Sequence, residues 1–579
     1  LRLDGTGTLT FGNLISGAGS LTVNGSNLAL AASNTYGGGT TLGGGRLDVG
    51  SNTALGTGDL TINGASVLTG AAGVTLANNV VLNSTLNFGA GGSGGALTLN
   101  GVISGAGGIS LAGAPGLTLN GASTFTGGFN IGGGTLTVGN DSALGQGGVT
   151  VSGASSLDSN KTVSLTNNLN LNAALTIGGS NDLALNGAIG GLRGLTKNGT
   201  GRLTLGSANT FFGGVNLQGG ALRVGTNTSL GLGTLTVNGN AALDASADVN
   251  LGNAVVLNAG LDIGGANDIR LGGVISGTGP LSYSGSGTLT LANANFWTGG
   301  TTLKSGTLNV GDNFALGQGA LAVTGNANLR ANVPGTLLGN ALTLGAGTTL
   351  NVDGSNPLAL VGTIDGGGAL ALSGPGAVVL AGANTYSGGT TVSGATLGVF
   401  NTAGSATGSG AVQVQAGGAL TGNGSIAGTV NVGDGIVLPG NGGAGTLTVG
   451  GLNLAAGSVL NFELGQAGVA GGTFNDLINV NGNLQLDGTL NIAAHGLEYV
   501  EQPCASVAEL ADLRRRLARA GLQVPVAADE SIRRATDPYQ VVQYEAADIA
   551  VLKVQPLGGV RACLEIAERI GLPVVVSSA

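Results

Sequence analysis

Methionine is absent from this chain of 579 residues, which holds only two cysteines, one histidine and 8% charged residues. Each shortage closes off a kind of chemistry. The single histidine is His495, so residues 1–494 have no base for a Ser–His–Asp triad. The cysteines, Cys504 and Cys563, also fall late, which removes Cys/His metal sites from the same stretch. Its one glutamate is Glu463, so paired-carboxylate chemistry there would rest on aspartates. Most of these sit in turn-like phrases, as at Asp48, Asp141 and Asp312, and read as Asx turns. The nonapeptide calcium motif GGxGxDxUx is missing. A net charge of −9 without a basic patch to neutralise phosphates argues against a nucleic-acid partner. No run of about 18 apolar residues occurs, so no membrane-spanning helix is expected.

What the chain has in abundance is glycine, 118 residues of it, and a long-range period. The phrase SNTYGGGTTLGGGRLDVGSNTALG at 33–56 returns four times. Its opening aromatic is Tyr36, Phe125, Phe211, Trp297 and Tyr386, at steps of 89, 86, 86 and 89 residues. A second marker, Ile15, Ile103, Ile189, Ile275 and Ile364 in phrases such as GVISGAGG, keeps the same beat. So regular a period argues for a repeat architecture rather than disorder. Between the markers run short alternating phrases, GTLTVGN or ALTLGAGTTLNV, that read as strands with one apolar face. Glycine and asparagine between them are expected to take the positive φ of tight corners. The economical solution is a parallel β-helix, all-β, with about 20 residues per coil and about four coils per period. Stacking then pairs every strand with the coils on either side, and the apolar alternation fills the interior. Trp297, in the aromatic slot, is expected to be a core or corner filler.

NTYGGGTT followed by GGGRLDVGSNTALGTG resembles the autotransporter-associated β-strand repeat of secreted bacterial passenger domains. Residues 436–492 are similar to the segment that closes such passengers, through Pro439–Gly440, Gly445–Val449, Glu463–Leu464 and Asp476–Val480. The resemblance implies a right-handed parallel β-helix of the pectin-lyase-like kind. It would be exported to the cell surface or secreted, without a cofactor, and act as a structural or adhesive rod. Its ligand would be a host-surface, glycan or cell-surface molecule. No alternating barrel strands with aromatic girdles follow. The chain starts LRLDGTG, already in repeat phase and without a signal peptide, and reads as a fragment. The organisation expected is a repetitive passenger over 1–430, its closing segment over 431–495, and a different domain over 496–579.

That last stretch breaks with everything before it. Its 84 residues carry 11 acidic and 9 basic side chains, against 17 and 10 in residues 1–495, and only five glycines. LEYVEQP, VPVAADES, DIAVLKVQ and PVVVSSA read as strands. SVAELADLRRRLARAG, a segment opening at Asp537–Pro538, and VRACLEIAERIG read as helices. Ser506 and Glu509 form a capping box, with Val507, Leu510, Leu513 and Leu517 along one face. Apolar strands alternating with amphipathic helices predict a parallel α/β sheet. Polar residues end each strand: Glu501, Asp529, Lys553 and Ser577. In a β/α barrel all four would lie on the catalytic face, where carboxylates beside a lysine suit a divalent cation and a proton-transfer base.

VEQP, ADES and LKVQPLGG resemble the barrel domain of the enolase superfamily, in its muconate-lactonizing subgroup. The wording is nearest to o-succinylbenzoate synthases. The resemblance implies Mg2+ as cofactor, Glu501 and Asp529 as metal ligands, Lys553 as the catalytic lysine and Ser577 as a contact to substrate carboxylate. It also requires a third metal carboxylate, a second lysine and a capping domain, all on earlier strands, where this chain has β-helix. Half a barrel is therefore expected to be inactive. Cys504 and Cys563 read as free thiols. Three readings follow: a surface or secreted passenger rod, a magnesium-dependent dehydratase with a long N-terminal extension, or two unrelated gene fragments joined near His495–Gly496.

Overall fold

In the computed structural model the chain is described over residues 1–89, 94–113, 116–466, 469–494, 499–519, 524–533, 539–553, 557 and 560–577. It divides into two compact units, Leu1–Leu397 with Gly404–Ala411, and Gly398–Ala403 with Val412–Ala579.

The first unit is a parallel β-solenoid. A typical strand, Leu60–Ile62, points Leu60 and Ile62 inward at 0% exposure and leaves Thr61 half-buried between them. Leu60 pairs with Val80, Ile109 with Phe129 and Leu195 with Val215, so these coils advance by 20 residues. Backbone groups are consumed between coils and Leu, Val and Ile stack inside, as the alternation required. Three strand positions recur in each coil and build three faces.

The period and the coil do not match, and the mismatch is systematic. From Ile103 four coil steps on one face reach Leu183, by way of Ser123, Ser142 and Val163; the next strand, on the next face, begins at Ile189. One period is therefore four coils and a third, where about four were expected. The ladder that ends at Ile103 is followed by ladders ending at Ile189, Ile275 and Ile364, each one face further round.

After each marker isoleucine the ladder of that face is interrupted for two coils, and these two coils are the repeated phrase. The aromatics Tyr36, Phe125, Phe211, Trp297 and Tyr386 are buried inside it, none more than 2% exposed. Tyr36 and Tyr386 bond the hydroxyls of Thr40 and Thr390, and Trp297 donates Nε1–H to Gly300 O. One coil on, the glycine of TALG or its equivalent sits over the aromatic. At Gly231, φ is +67° and an added Cβ would lie 2.5 Å from Phe211 O. Asparagine side chains replace the missing ladder. Asn209 Oδ1 accepts from Ile189 N at 2.8 Å and Nδ2 donates to Ser229 O at 2.6 Å, and Asn34, Asn295 and Asn384 do the same in their copies. Asn253 Nδ2 then donates to Gly231 O and Gly233 O from the following coil.

Three expectations are corrected. Among the described residues of the solenoid only glycine has positive φ; asparagine serves as a ladder group instead. Asp48 is a strand residue, ion-paired to Arg46 at 2.8 Å and accepting from the Thr69 hydroxyl. Asp141 accepts from Ser164 N, 23 residues away, and so ties two coils; only Asp312, accepting from Phe314 N, makes the local turn.

The second unit begins with more coils of the same kind. Val412–Val414 pairs with Ser425–Val432, which pairs with Thr446–Leu454, which pairs with Leu477–Val480 and Leu484–Leu486. Buried Asp476 ties the start of Thr446–Leu454 to the strand Val459–Leu464, accepting from Gly445 N at 2.8 Å and Glu463 N at 2.7 Å. The strand Thr489–Ala494 is the last of this type. His495 and Gly496, where the composition changes, lie outside the described residues.

A four-stranded sheet follows, all parallel: Val500–Glu501, Val526–Ala528, Ile549–Lys553 and Val574–Ser577, in chain order. Helix Val507–Arg519 starts at the expected capping box, Ser506 N donating to Glu509 Oε2 and Glu509 N to Ser506 Oγ. Leu510 enters the core with Val526, Ala528, Leu552, Cys563 and Ile570. A short helix, Glu530–Arg533, was not anticipated. The proposed helix start at Asp537–Pro538 lies outside the described residues, and the helix there spans Gln540–Gln543. Helix Val560–Ile570 precedes the last strand.

Candidate functional site

The four polar strand ends come together because the sheet is parallel and its strands are consecutive. Glu501 ends the first strand, opposite Ala527 of the second. Asp529 follows the second strand directly. Lys553 ends the third, and the Cα of Ser577, ending the fourth, is in register with it. The Ser577 side chain lies outside what is described.

Two of the four are in contact. Lys553 Nζ lies 2.6 Å from Asp529 Oδ2, and the Asp529 side chain is only 3% exposed. A buried carboxylate is tolerated because the ammonium neutralises it. The other oxygen, Asp529 Oδ1, is buried and has no hydrogen-bond partner. Glu501, by contrast, is exposed.

A residue that sequence reading passed over holds this geometry. Gln502 has φ +40°, one of two non-glycine residues with positive φ among those described. Its Oε1 accepts from Asp529 N at 2.9 Å and Ser531 N at 3.1 Å; its Nε2 donates to Cys504 O and Ser531 Oγ, both at 2.8 Å. The amide thus pins the turn carrying Asp529 to the end of the first strand. A half-buried, fully bonded side chain at a strained φ is a structural signal, and the motif VEQP alone carried no hint of it.

The orphaned Asp529 Oδ1 is what a hard cation would satisfy. The remainder of the donor set does not complete a magnesium site: among the described residues no group of three His, Cys, Asp or Glu converges. Cys504 and Cys563 are free thiols, as expected, and burial pushes the Cys504 thiol up, with Glu509 and Asp512 adding to the shift. Among the described residues, no helix is long and apolar enough to cross a membrane.

Comparison with known proteins also finds two different kinds of sequence in the chain. Residues 112–138, 195–224, 281–310 and 370–399 match the passenger-associated-transport-repeat, each segment enclosing one of the buried aromatics from Phe125 to Tyr386. Residues 475–578 match the enolase C-terminal domain-like family. That match starts some twenty residues before the composition break, on strands that pair with the coil before them. The chain is 69% identical over 83 residues to o-succinylbenzoate synthase of Mycobacterium tuberculosis (strain ATCC 25618 / H37Rv), covering 14% of this chain and 24% of that protein. It is 59% identical over 106 residues to the enzyme of that name from Thermobifida fusca (strain YX), covering 18% and 32%. The chain thus spans about a quarter to a third of the length of these relatives. It carries passenger-associated transport repeats on a β-solenoid, joined to an enolase C-terminal domain-like segment.

Proposed function

We propose that the solenoid is a non-catalytic autotransporter passenger, a right-handed rod displayed at the cell surface or secreted for structural or adhesive work. The observation that carries this is the repeated two-coil phrase, buried in the solenoid at five places and matched by passenger-associated repeats at four. An interior of small apolar side chains and glycine corners, with no histidine, is built for length and not for turnover. Protease shaving of intact producing cells tests it: the solenoid should be cut from outside, whereas a chain found only in the cytoplasm would end the reading.

The tail we read as part of an enolase-type barrel. Glu501 and Asp529 stand for two magnesium ligands, Lys553 for the catalytic lysine and Ser577 for a substrate contact. Lys553 already pairs with Asp529, and the third carboxylate and second lysine that the resemblance requires would fall before residue 496, where the described strands are those of the solenoid. The purified chain should show no magnesium-dependent dehydration of the cyclohexadiene carboxylate substrate. Turnover would instead favour the second reading, an o-succinylbenzoate synthase of menaquinone biosynthesis, for which the 69% identity speaks. The join near His495–Gly496 we attribute to two unrelated coding fragments, since surface display and a cytoplasmic enzyme call for different compartments. Single-molecule DNA reads across the codons for residues 480–510 decide this; one in-frame read spanning them would refute it.

A further inference from the structure

The copies of the repeat are not equivalent on the outside of the solenoid. Where the second copy resumes its strand ladder, three consecutive strands, Val163–Leu165, Leu183–Leu185 and Arg202–Leu205, carry small outward side chains: Ser164, Ala184 and Thr204. They floor a groove of about 290 Å³. Arg223, next in register after Thr204, closes one end, committed to Asp244 with Nη2–Oδ2 at 2.5 Å. Asp141, on the interrupted coil, borders the other. Along the flank run Asp182 and Arg202.

Arg202 is the feature needing explanation. Its backbone N–H donates to Asp182 Oδ1 at 2.9 Å, but among the described residues no carboxylate or carbonyl receives its guanidinium, and its Nε is buried without a partner. An arginine left unpaired in a groove that two aspartates also line is electrostatically unfinished. One oxygen of Asp141 and one of Asp182 already accept from backbone N–H groups, so the second oxygen of each is available to hydroxyl donors. At the positions 86 residues on, Thr288 replaces Arg202, Asn227 replaces Asp141 and Asn309 replaces Arg223. Asp268 keeps the place of Asp182 and accepts from Thr288 N in the same way, so what belongs to this one copy is the pair of arginines and Asp141.

We propose that this groove binds a carboxylate-bearing sugar, a uronic-acid unit of an acidic polysaccharide. The planar fork of Arg202 matches a carboxylate bidentately. Thr204 and the free aspartate oxygens match ring hydroxyls. A phosphate monoester would bring more charge against both aspartates, and a neutral sugar would leave the guanidinium unpaired. The inference deepens the reading of the solenoid as a displayed binding rod and rests on it for its biological setting.

The test is calorimetric titration of the full chain with digalacturonic acid, with its methyl ester, which keeps every hydroxyl and loses the charge, and with inorganic phosphate. The acid should bind with a millimolar Kd and the ester at least about tenfold more weakly. Arg202→Gln should weaken the acid to the level of the ester, Arg202→Lys should fall between, and Arg330→Gln, whose partner Asp353 lies elsewhere, should change nothing. Since the guanidinium makes no bond within the fold, circular dichroism of Arg202→Gln should match the parent. Equal binding of acid and ester, binding of phosphate in preference, no binding of the acid, or indifference to Arg202→Gln would each overturn the proposal. Any of these would leave the location of the rod, read by protease shaving, untouched.

Discussion

Lys197 is the one lysine sealed inside the solenoid, at 1% exposure, between Ile177 and Leu217 of the neighbouring coils. Its Nζ donates to Gly199 O at 2.6 Å. Burial pulls its pKa below the ordinary lysine value, with Asp158 and Asp182 opposing. A base whose folded pKa is depressed costs stability while protonated in the unfolded chain, and the cost fades as pH rises towards the unfolded value. Leu111 and Leu372 fill the corresponding position in other copies. Lys197→Leu is therefore expected to be neutral or stabilising by up to about 2 kcal/mol at pH 7. In urea unfolding the gain should shrink as pH nears about 10. A glycine pair separates two kinds of constraint at the same scale. Gly73→Ala, φ +81° in open space, should cost about 1 kcal/mol from backbone strain alone. Gly231→Ala adds a collision with Phe211 O and should cost at least about 1 kcal/mol more in the same measurement.

At the scale of the element, the ladder gap is held by buried asparagine. Asn209 is 2% exposed and closes two backbone groups, Ile189 N and Ser229 O. Asn209→Leu strands both and should cost about 2–4 kcal/mol, seen as faster amide exchange at Ile189 and its neighbours. Ser123, at the equivalent place in the second copy, bonds Ile103 N at 3.3 Å, so Asn209→Ser should lose less than Asn209→Leu. None of this was legible beforehand. The asparagine of NTY reads as a corner residue, because residues one coil apart are far apart in sequence and their contact depends on the coil length. The aromatic slot was legible: an aromatic at the same place in every period, in a chain with so few, is a core signal, and all five are buried. The capping box at Ser506 and the order of the tail strands were also legible, since both rest on local patterns. The pin made by Gln502 was not, for its four bonds depend on the turn of the second strand. Gln502→Ala should loosen the segment at Asp529, read as higher amide exchange there than at Ala550.

At the scale of the molecule, one chain holds two folding styles. Solenoid stability is a sum over nearest-neighbour coils, whereas the tail has a small core and outer strands that, among the described residues, pair on one side only. Val576 on its last strand is 63% exposed and Leu564 on its last helix 60%. Urea should therefore unfold the tail first, in a transition followed by far-ultraviolet helix signal, with strand signal persisting to higher concentration. A single transition for both signals would contradict this.

The third of a coil left over in every period has a consequence for how such a chain can change. A duplication or loss of one period would turn everything beyond it by one face, so a binding groove would be carried to a different side of the shaft. Adding or removing three periods would restore the original bearing. Tyr36 and Trp297, three copies apart, share a face, as do Phe125 and Tyr386, while adjacent copies never do. A partner approaching from one side thus meets like signposts only at every third copy, and copy number sets compass direction as well as reach.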